Sequence, residues 1–190
     1  MFKMKFNLIV AVSEDFGIGL KGDLPWKLKS ELKYFSNTTK RVVDSNKRNA
    51  VIMGRKTYFG VPANKRPLPE RLNIVLSTTL KPSDLPSDVL LCPNLEAAMK
   101  HLETAATNLM PQIETVWIVG GSGVYKEAMD SERCHRLYIT KIYSKFECDT
   151  FFPPIPESFK EVLNDSQTPL GIQEENGVTY AYKILEKQKI

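Results

Sequence analysis

Residues 17–22 read GIGLKG, and the chain continues through DLPW (23–26) into KLKSELKYF (27–35). As a string, GIGLKG satisfies the G-x-G-x-x-G fingerprint that cradles a dinucleotide pyrophosphate. An apolar run, NLIVAV (7–12), precedes it, and an acidic residue, Asp44, lies beyond it. A Rossmann turn must pass directly from strand into helix, so that the helix N-terminus faces the pyrophosphate. Here Pro25 follows the last glycine by three residues, and proline is welcome only in a first helical turn. The helix is therefore expected to start around Pro25–Lys27, after the glycines have been used in a loop. Asp44 sits in KRVVDSNKR (40–48), a polar stretch that makes a poor second strand. GIGLKG is then a flexible surface loop, or a Gly-rich loop with another task.

Working outward, apolar β-rich runs recur at 7–12, 50–54, 71–77, 89–92, 115–120, 136–143 and 178–186. Several are apolar nearly throughout, as in strands buried on both faces of a largely parallel sheet. FKEVL (159–163) and the Asn176-Gly177 turn point to antiparallel closing strands near the C-terminus. Helices are expected at 55–59 and 123–129, and over 94–109, where Leu95, Ala98, Met99, Leu102, Ala106 and Leu109 mark one face behind an Asn94 N-cap. This alternation predicts one α/β domain. The tracts 61–70, 81–88 and 151–157 carry prolines and read as surface connections.

The 190 residues suffice for a sizeable core, and 42% hydrophobic with 25% charged residues argues against disorder. A net charge of +4 without a basic block makes nucleic acid an unlikely primary ligand and suits small anions. Two histidines exclude a multi-histidine metal centre, and no metal is expected. The three cysteines (Cys92, Cys134, Cys148) lack metal or disulfide spacing, so a reducing cytosol is the simplest home. The short apolar run near the N-terminus meets Glu14 and Asp15 and reads as a first strand, and no stretch reaches the length of a membrane span.

Two other segments are better phosphate candidates than GIGLKG. WIVGGSGVY (117–125) runs a strand into Gly-Gly-x-Gly and then a helix. IMGRKTYF (52–59) does the same and places Arg55 and Lys56 in the first turn, where cations oppose the helix dipole unless an anion lies between. Each alone reads equally as a structural turn; together they suggest a polyphosphate held by two helix ends. In KLKSELKYF, Leu28, Leu32 and Phe35 form an inward stripe, and Glu31 joins that face. It is either a boundary residue paired with Lys27 or an arginine, or a ligand-facing acid whose proton affinity is raised by poor hydration.

Taken in order, GIGLKGDLPW, the Glu31 helix with Phe35, VIMGRKTYFGVP (51–62), RPLPERLNIVLS (66–77), VWIVGGSGVYKEAM (116–129), LYIT (137–140) and FECDTFFP (146–153) resemble dihydrofolate reductase of the eukaryotic type. The resemblance covers almost the whole chain. It implies a single domain over 1–190 with an eight-stranded mixed, mostly parallel sheet flanked by helices, and an adenosine-binding subregion near 44–95. It implies a cytoplasmic monomer that reduces 7,8-dihydrofolate with NADPH in one-carbon and thymidylate metabolism, binds antifolates, and needs no membrane partner.

The resemblance also implies roles. Glu31, supported by Thr140, accepts hydrogen bonds from the pterin, and water admitted near Leu24 and Trp26 brings the proton to N5. Ile9, Val10, Ala11, Leu32, Phe35, Ser36, Val61, Leu68, Val119 and Tyr125 line the substrate slot. Arg71, which alone would read as a surface arginine at a strand start, grips the substrate's α-carboxylate. For the cofactor the implied residues are Ala11; Gly17, Ile18, Gly19, Gly22, Asp23 and Leu24 of a mobile loop closing over the nicotinamide; Arg55, Lys56 and Thr57; Leu76, Ser77 and Thr78; and Gly120, Gly121, Ser122, Gly123, Val124 and Tyr125, with a cis bond joining the paired glycines. Thr78 stands where many vertebrate members carry arginine; with one charge fewer the resemblance implies the direction of an NADPH-over-NADH preference but not its degree. Tyr58 and Gly60 replace the commoner tryptophan and serine, at positions expected to be tolerant. A related pteridine- or pyrimidine-pathway reductase should lack Glu31 with Arg71, and a non-catalytic nucleotide-binding module needs no inward acid.

Overall fold

A computed structural model describes residues 3–105 and 112–188. The β-rich runs form strands β1 (Phe6–Val12), β2 (Gly17–Gly19), β3 (Arg48–Gly54), β4 (Arg71–Leu76), β5 (Val89–Cys92), β6 (Ile113–Ile118), β7 (Cys134–Ile142), β8 (Thr150–Phe151), β9 (Phe159–Val162), β10 (Ile172–Glu175) and β11 (Val178–Lys187). Helices α1 (Lys29–Lys40), α2 (Arg55–Gly60), α3 (Leu95–Ala105) and α4 (Ser122–Asp130) lie between them. Asn94 caps α3, accepting the Ala97 N–H at 2.8 Å. Ala106 and Leu109, expected on the same helix, fall outside the described residues.

The main sheet runs β10-β11-β7-β1-β6-β3-β4-β5. Its β1, β3, β4, β5, β6 and β7 neighbours pair in parallel, and β11 joins β7 antiparallel. The eight positions expected from sequence are present, but the outermost is shared by two short strands. β10 pairs with residues 178–181 of β11, and β9 with residues 184–187.

Strand alternation gives each face its own core. Leu8, Val10, Ala50, Ile52, Leu72, Ile74, Ile118 and Ile139 pack with Ala98, Met99, Ala128 and Met129 of α3 and α4. Ile9, Val51, Met53, Val75, Trp117 and Tyr138 point the opposite way, joined by Tyr58 of α2 and partly buried Tyr34 and Phe35 of α1. Val10 therefore turns its side chain away from the α1 face. Leu76 likewise packs its side chain into the α3–α4 core.

Corrections concern the first helix. It starts at Lys29 rather than Pro25–Lys27, because Trp26 and Leu28 are pinned in a third cluster with Ile142, Tyr180 and Tyr182 before the helix begins. Trp26 meets Phe146 edge-on at 5.5 Å. Leu32 is 47% exposed and not part of the inward stripe, which runs instead through Leu28, Glu31, Phe35 and the buried pair Thr38 and Thr39.

Candidate active site

Ala11 on β1 stands opposite Thr140 on β7, and Tyr182 on β11 stands opposite Thr140 on its other side. All three project toward the face covered by α1. Glu31, in the first turn of α1, is 5% exposed and accepts the Thr140 hydroxyl at 2.9 Å. Burial pushes its carboxyl up to about 7, with the Thr140 hydrogen bond opposing the rise. No lysine or arginine pairs with it among the described residues, so the boundary ion-pair alternative is set aside.

Arg71 opens β4 and shares strand parity with Asn73 and Val75, which puts it on the same face as Thr140. Its Nε donates to Pro69 O and its Nη1 to Thr39 Oγ1, each at 2.9 Å. The Thr39 hydroxyl spends its own proton on Phe35 O at 2.8 Å, leaving a lone pair for the guanidinium. The guanidinium is buried rather than at the surface, and desolvation lowers its pKa. Glu31 and Thr39 are eight residues apart on α1, about 12 Å along the axis. One helix thus carries the acid at one end and docks the guanidinium at the other. Partly buried Phe35, Leu68 and Val119 pack on the core between them, and Ser36 and Val61 are half-buried at its margin.

The two glycine-led helix ends meet. Gly54 N donates to Gly120 O at 2.8 Å, and Gly54 and Gly121 stand at the N-caps of α2 and α4 without a side-chain cap among the described residues. The Gly120–Gly121 peptide is cis. A Cβ at Gly121 would lie 3.3 Å from Thr57 Oγ1, a tight approach that glycine avoids. Tyr125 closes its floor, donating its hydroxyl to Ile9 O at 2.7 Å. Half-buried Ser122 and Val124, with exposed Gly123, complete the α4 opening.

At the end of β4, exposed Arg55 donates to Thr79 Oγ1 at 3.2 Å, and Ser77 Oγ accepts the N–H groups of Thr79 and Leu80 at 3.1 Å each. Thr78 and Lys56 are exposed beside them. Uncapped helix ends, a glycine cradle and this Arg-Ser-Thr cluster fit a phosphorylated dinucleotide.

GIGLKG forms no helix. Gly17 and Gly19 pair with Phe151 and Thr150, making β2 and β8 a separate two-stranded ribbon through which Ile18 runs half-buried. Leu20 and Asp23 exchange backbone hydrogen bonds at 2.9 and 3.0 Å around Lys21 and Gly22, both at positive φ, as in a tight hairpin turn. Asp149 holds the turn by accepting the Lys21 N–H at 2.8 Å, and Leu24 is exposed just after it. The turn rests on α2: a Cβ at Gly60 would lie 2.5 Å from Gly22 O. Tyr58 is buried, with Arg66 5.7 Å above its ring. The tolerance expected at positions 58 and 60 is thereby corrected.

Sequence reasoning did not identify Thr39, Thr79 or Tyr182. Thr39 lies i+4 from Phe35 on the stripe of Glu31, a legible signal; Thr79 was hidden in the polar run STT (77–79).

The dihydrofolate reductase family model matches residues 5–187. The chain is 71% identical to "Dihydrofolate reductase" of Drosophila melanogaster over 97% of its length and 98% of the relative's. It is 46% identical to the protein of the same name from Sus scrofa, over 95% and 97%. The solved structure of Schistosoma mansoni dihydrofolate reductase superimposes with a TM-score of 0.84 at 37% identity, covering 98% of this chain and all of that one. With a Glu31–Thr140 pair and Arg71 on one sheet face and a glycine cradle beside them, the chain belongs to the dihydrofolate reductase family and is an oxidoreductase.

Proposed function

We propose that this chain reduces 7,8-dihydrofolate to 5,6,7,8-tetrahydrofolate with NADPH. The observation that carries the reading is a buried acid and a buried guanidinium on one sheet face, spaced by a single helix. Glu31 accepts hydrogen bonds from the pterin N3 and 2-amino groups, and those N–H groups supply the solvation its burial removes. Thr140 fixes the carboxylate, so the ring presents C6 in one orientation. Arg71, held by Pro69 O and Thr39, turns its fork to the α-carboxylate of the substrate's glutamate. Ile9, Ala11, Phe35, Leu68 and Val119 supply the apolar walls between these ends, with Leu32, Ser36 and Val61 at the rim.

The glycine cradle at Gly54 and Gly120–Tyr125, with Thr57, would hold the pyrophosphate, and Arg55, Ser77 and Thr79 the 2′-phosphate, within an adenosine-binding segment near 44–95. When bound, NADPH supplies the hydride. Residues 17–24 close over that side and exclude bulk water, and Leu24 and Trp26 frame the route by which a water brings a proton to N5. Since one chain carries every side chain of this site, a monomer suffices, and three free cysteines suit a reducing cytosol.

Loss of reduced-nicotinamide absorbance on mixing the protein with NADPH and dihydrofolate tests the reading. Rapid loss with dihydrofolate is expected. Loss only with a pyrimidinone or another pteridine would replace the substrate, and no loss with any of them would leave only nucleotide binding.

A further inference from the structure

Helix α1 begins with no capping side chain of its own: Leu28 stands at the N-cap. The N–H groups of Lys29 and Ser30 are taken instead by Glu175, whose Oε1 and Oε2 accept them at 2.9 Å each from 146 and 145 residues away. Glu175 ends β10 at the turn into β11. Asn176 and Gly177 hold φ of 54° and 75°, the backbone a tight hairpin needs. Asn176 Nδ2 adds a bond to Lys27 O at 3.3 Å, and Gly177 N donates to Glu174 Oε1 at 2.7 Å. The hairpin tip therefore clasps the chain on both sides of Leu28.

Glu31 follows Ser30 directly. Its side chain is tied to β7 through Thr140, while its helix turn is tied through Glu175 to β10, which reaches β7 by way of β11. Both handles belong to one sheet. From this geometry we infer that Glu175 is a positioning residue for Glu31, clamping the first turn of α1 so that the acid's height above the sheet is set from the hairpin. The inference rests on the role proposed for Glu31.

The clasp is also electrostatic. The Glu175 carboxyl is held below its usual range by its bonds to the Ser30 and Lys29 N–H groups, so it stays ionised and offsets the positive end of the helix. The other groups facing Glu31 are the phenols of Tyr125 from α4 and of Tyr180 and Tyr182 from β11, all with pKa raised by burial and hence neutral, and the Thr140 hydroxyl. Lys27, Lys29 and Lys33, near it in sequence, are exposed. Removing the Glu175 charge therefore favours ionised Glu31.

The test compares Glu175→Ala, Glu175→Gln and Glu31→Gln in steady-state and single-turnover assays across pH. Glu175→Ala is expected to raise the dihydrofolate KM about fivefold, the scale of one lost helix cap. The NADPH KM should stay within about twofold, and the Glu31-dependent pH midpoint should fall by about half a unit. Glu175→Gln keeps an oxygen for one N–H; it should recover most of the KM yet retain the shifted midpoint. If Glu175→Ala proves unable to fold, the midpoint of Glu175→Gln decides alone. An unmoved midpoint, or equal loss of both substrates' KM, overturns the inference. A pH step that survives in Glu31→Gln instead overturns the role of Glu31 itself.

Discussion

Replacing Glu31 by glutamine should make the unliganded protein more stable and the enzyme nearly inert. The side chain is almost completely buried, and that burial pushes its carboxyl from an ordinary value of 4.5 up to about 7. Because the folded form holds its proton more tightly than the unfolded form, stability is full below pH 4.5 and drains away as pH rises toward and past 7. The difference of about 2.5 units, at about 1.4 kcal/mol per unit, amounts to about 3 kcal/mol by pH 8. Glutamine has the same shape, still offers an oxygen to Thr140, and never ionises, so it escapes that loss. Urea unfolding of both proteins without ligand, at pH 5 and pH 8, measures the effect. The variant should gain little at pH 5 and about 3 kcal/mol at pH 8, or roughly 6–12 °C in Tm for a chain of this size. Its hydride-transfer rate with dihydrofolate should fall steeply at both pH values. A stability difference that stays flat from pH 5 to 8 would show that Glu31 does not hold its proton in the free protein, and the electrostatic account of the site would be wrong.

Arg71→Leu should raise the dihydrofolate KM at least about thirtyfold, the lower end of the 2–5 kcal/mol that a broken buried ion pair costs, with the NADPH KM unchanged; parallel loss for both substrates would contradict its assignment. Gly60→Ala forces a methyl group onto Gly22 O, and at an overpacking cost of about 1–3 kcal/mol should lower single-turnover hydride transfer about tenfold. Normal transfer in that variant would mean that the Leu20–Asp23 turn need not rest on α2. Thr78→Arg adds an exposed cation beside Arg55 and Ser77; it should raise the NADPH-over-NADH preference about two- to fivefold, less at high salt, as paired steady-state assays would show.

Much of this arrangement was legible in the chain. Parity along Arg71, Asn73 and Val75, and along Tyr138 and Thr140, follows from the period of two in a strand, and it puts the acid's partner and the guanidinium on one face. Glu31 was conspicuous as a carboxylate within an apolar stripe. What escaped notice depended on contacts between distant segments. The cap on α1 comes from Glu175 rather than from the residues before the helix, so local signals at Pro25 misplaced its start. Leu32 satisfies the helical spacing but lies on the flank the helix leaves open. Gly60 gives no sign in sequence that the carbonyl of Gly22, 38 positions earlier, rests against it.

The β2–β8 ribbon has a consequence for how the molecule comes apart. Its ladder is separate from the main sheet, so lifting residues 17–23 breaks the Gly17–Ser13 bonds and the pairing with β8 but leaves β1 and β7 joined from Leu8 to Val12. Amides in this ribbon should exchange their hydrogens through shallow local openings that denaturant scarcely promotes, while those of β1 exchange only when the whole chain unravels. Under the closing role proposed for residues 17–24, reactants would come and go at the edge while the interior keeps its packing.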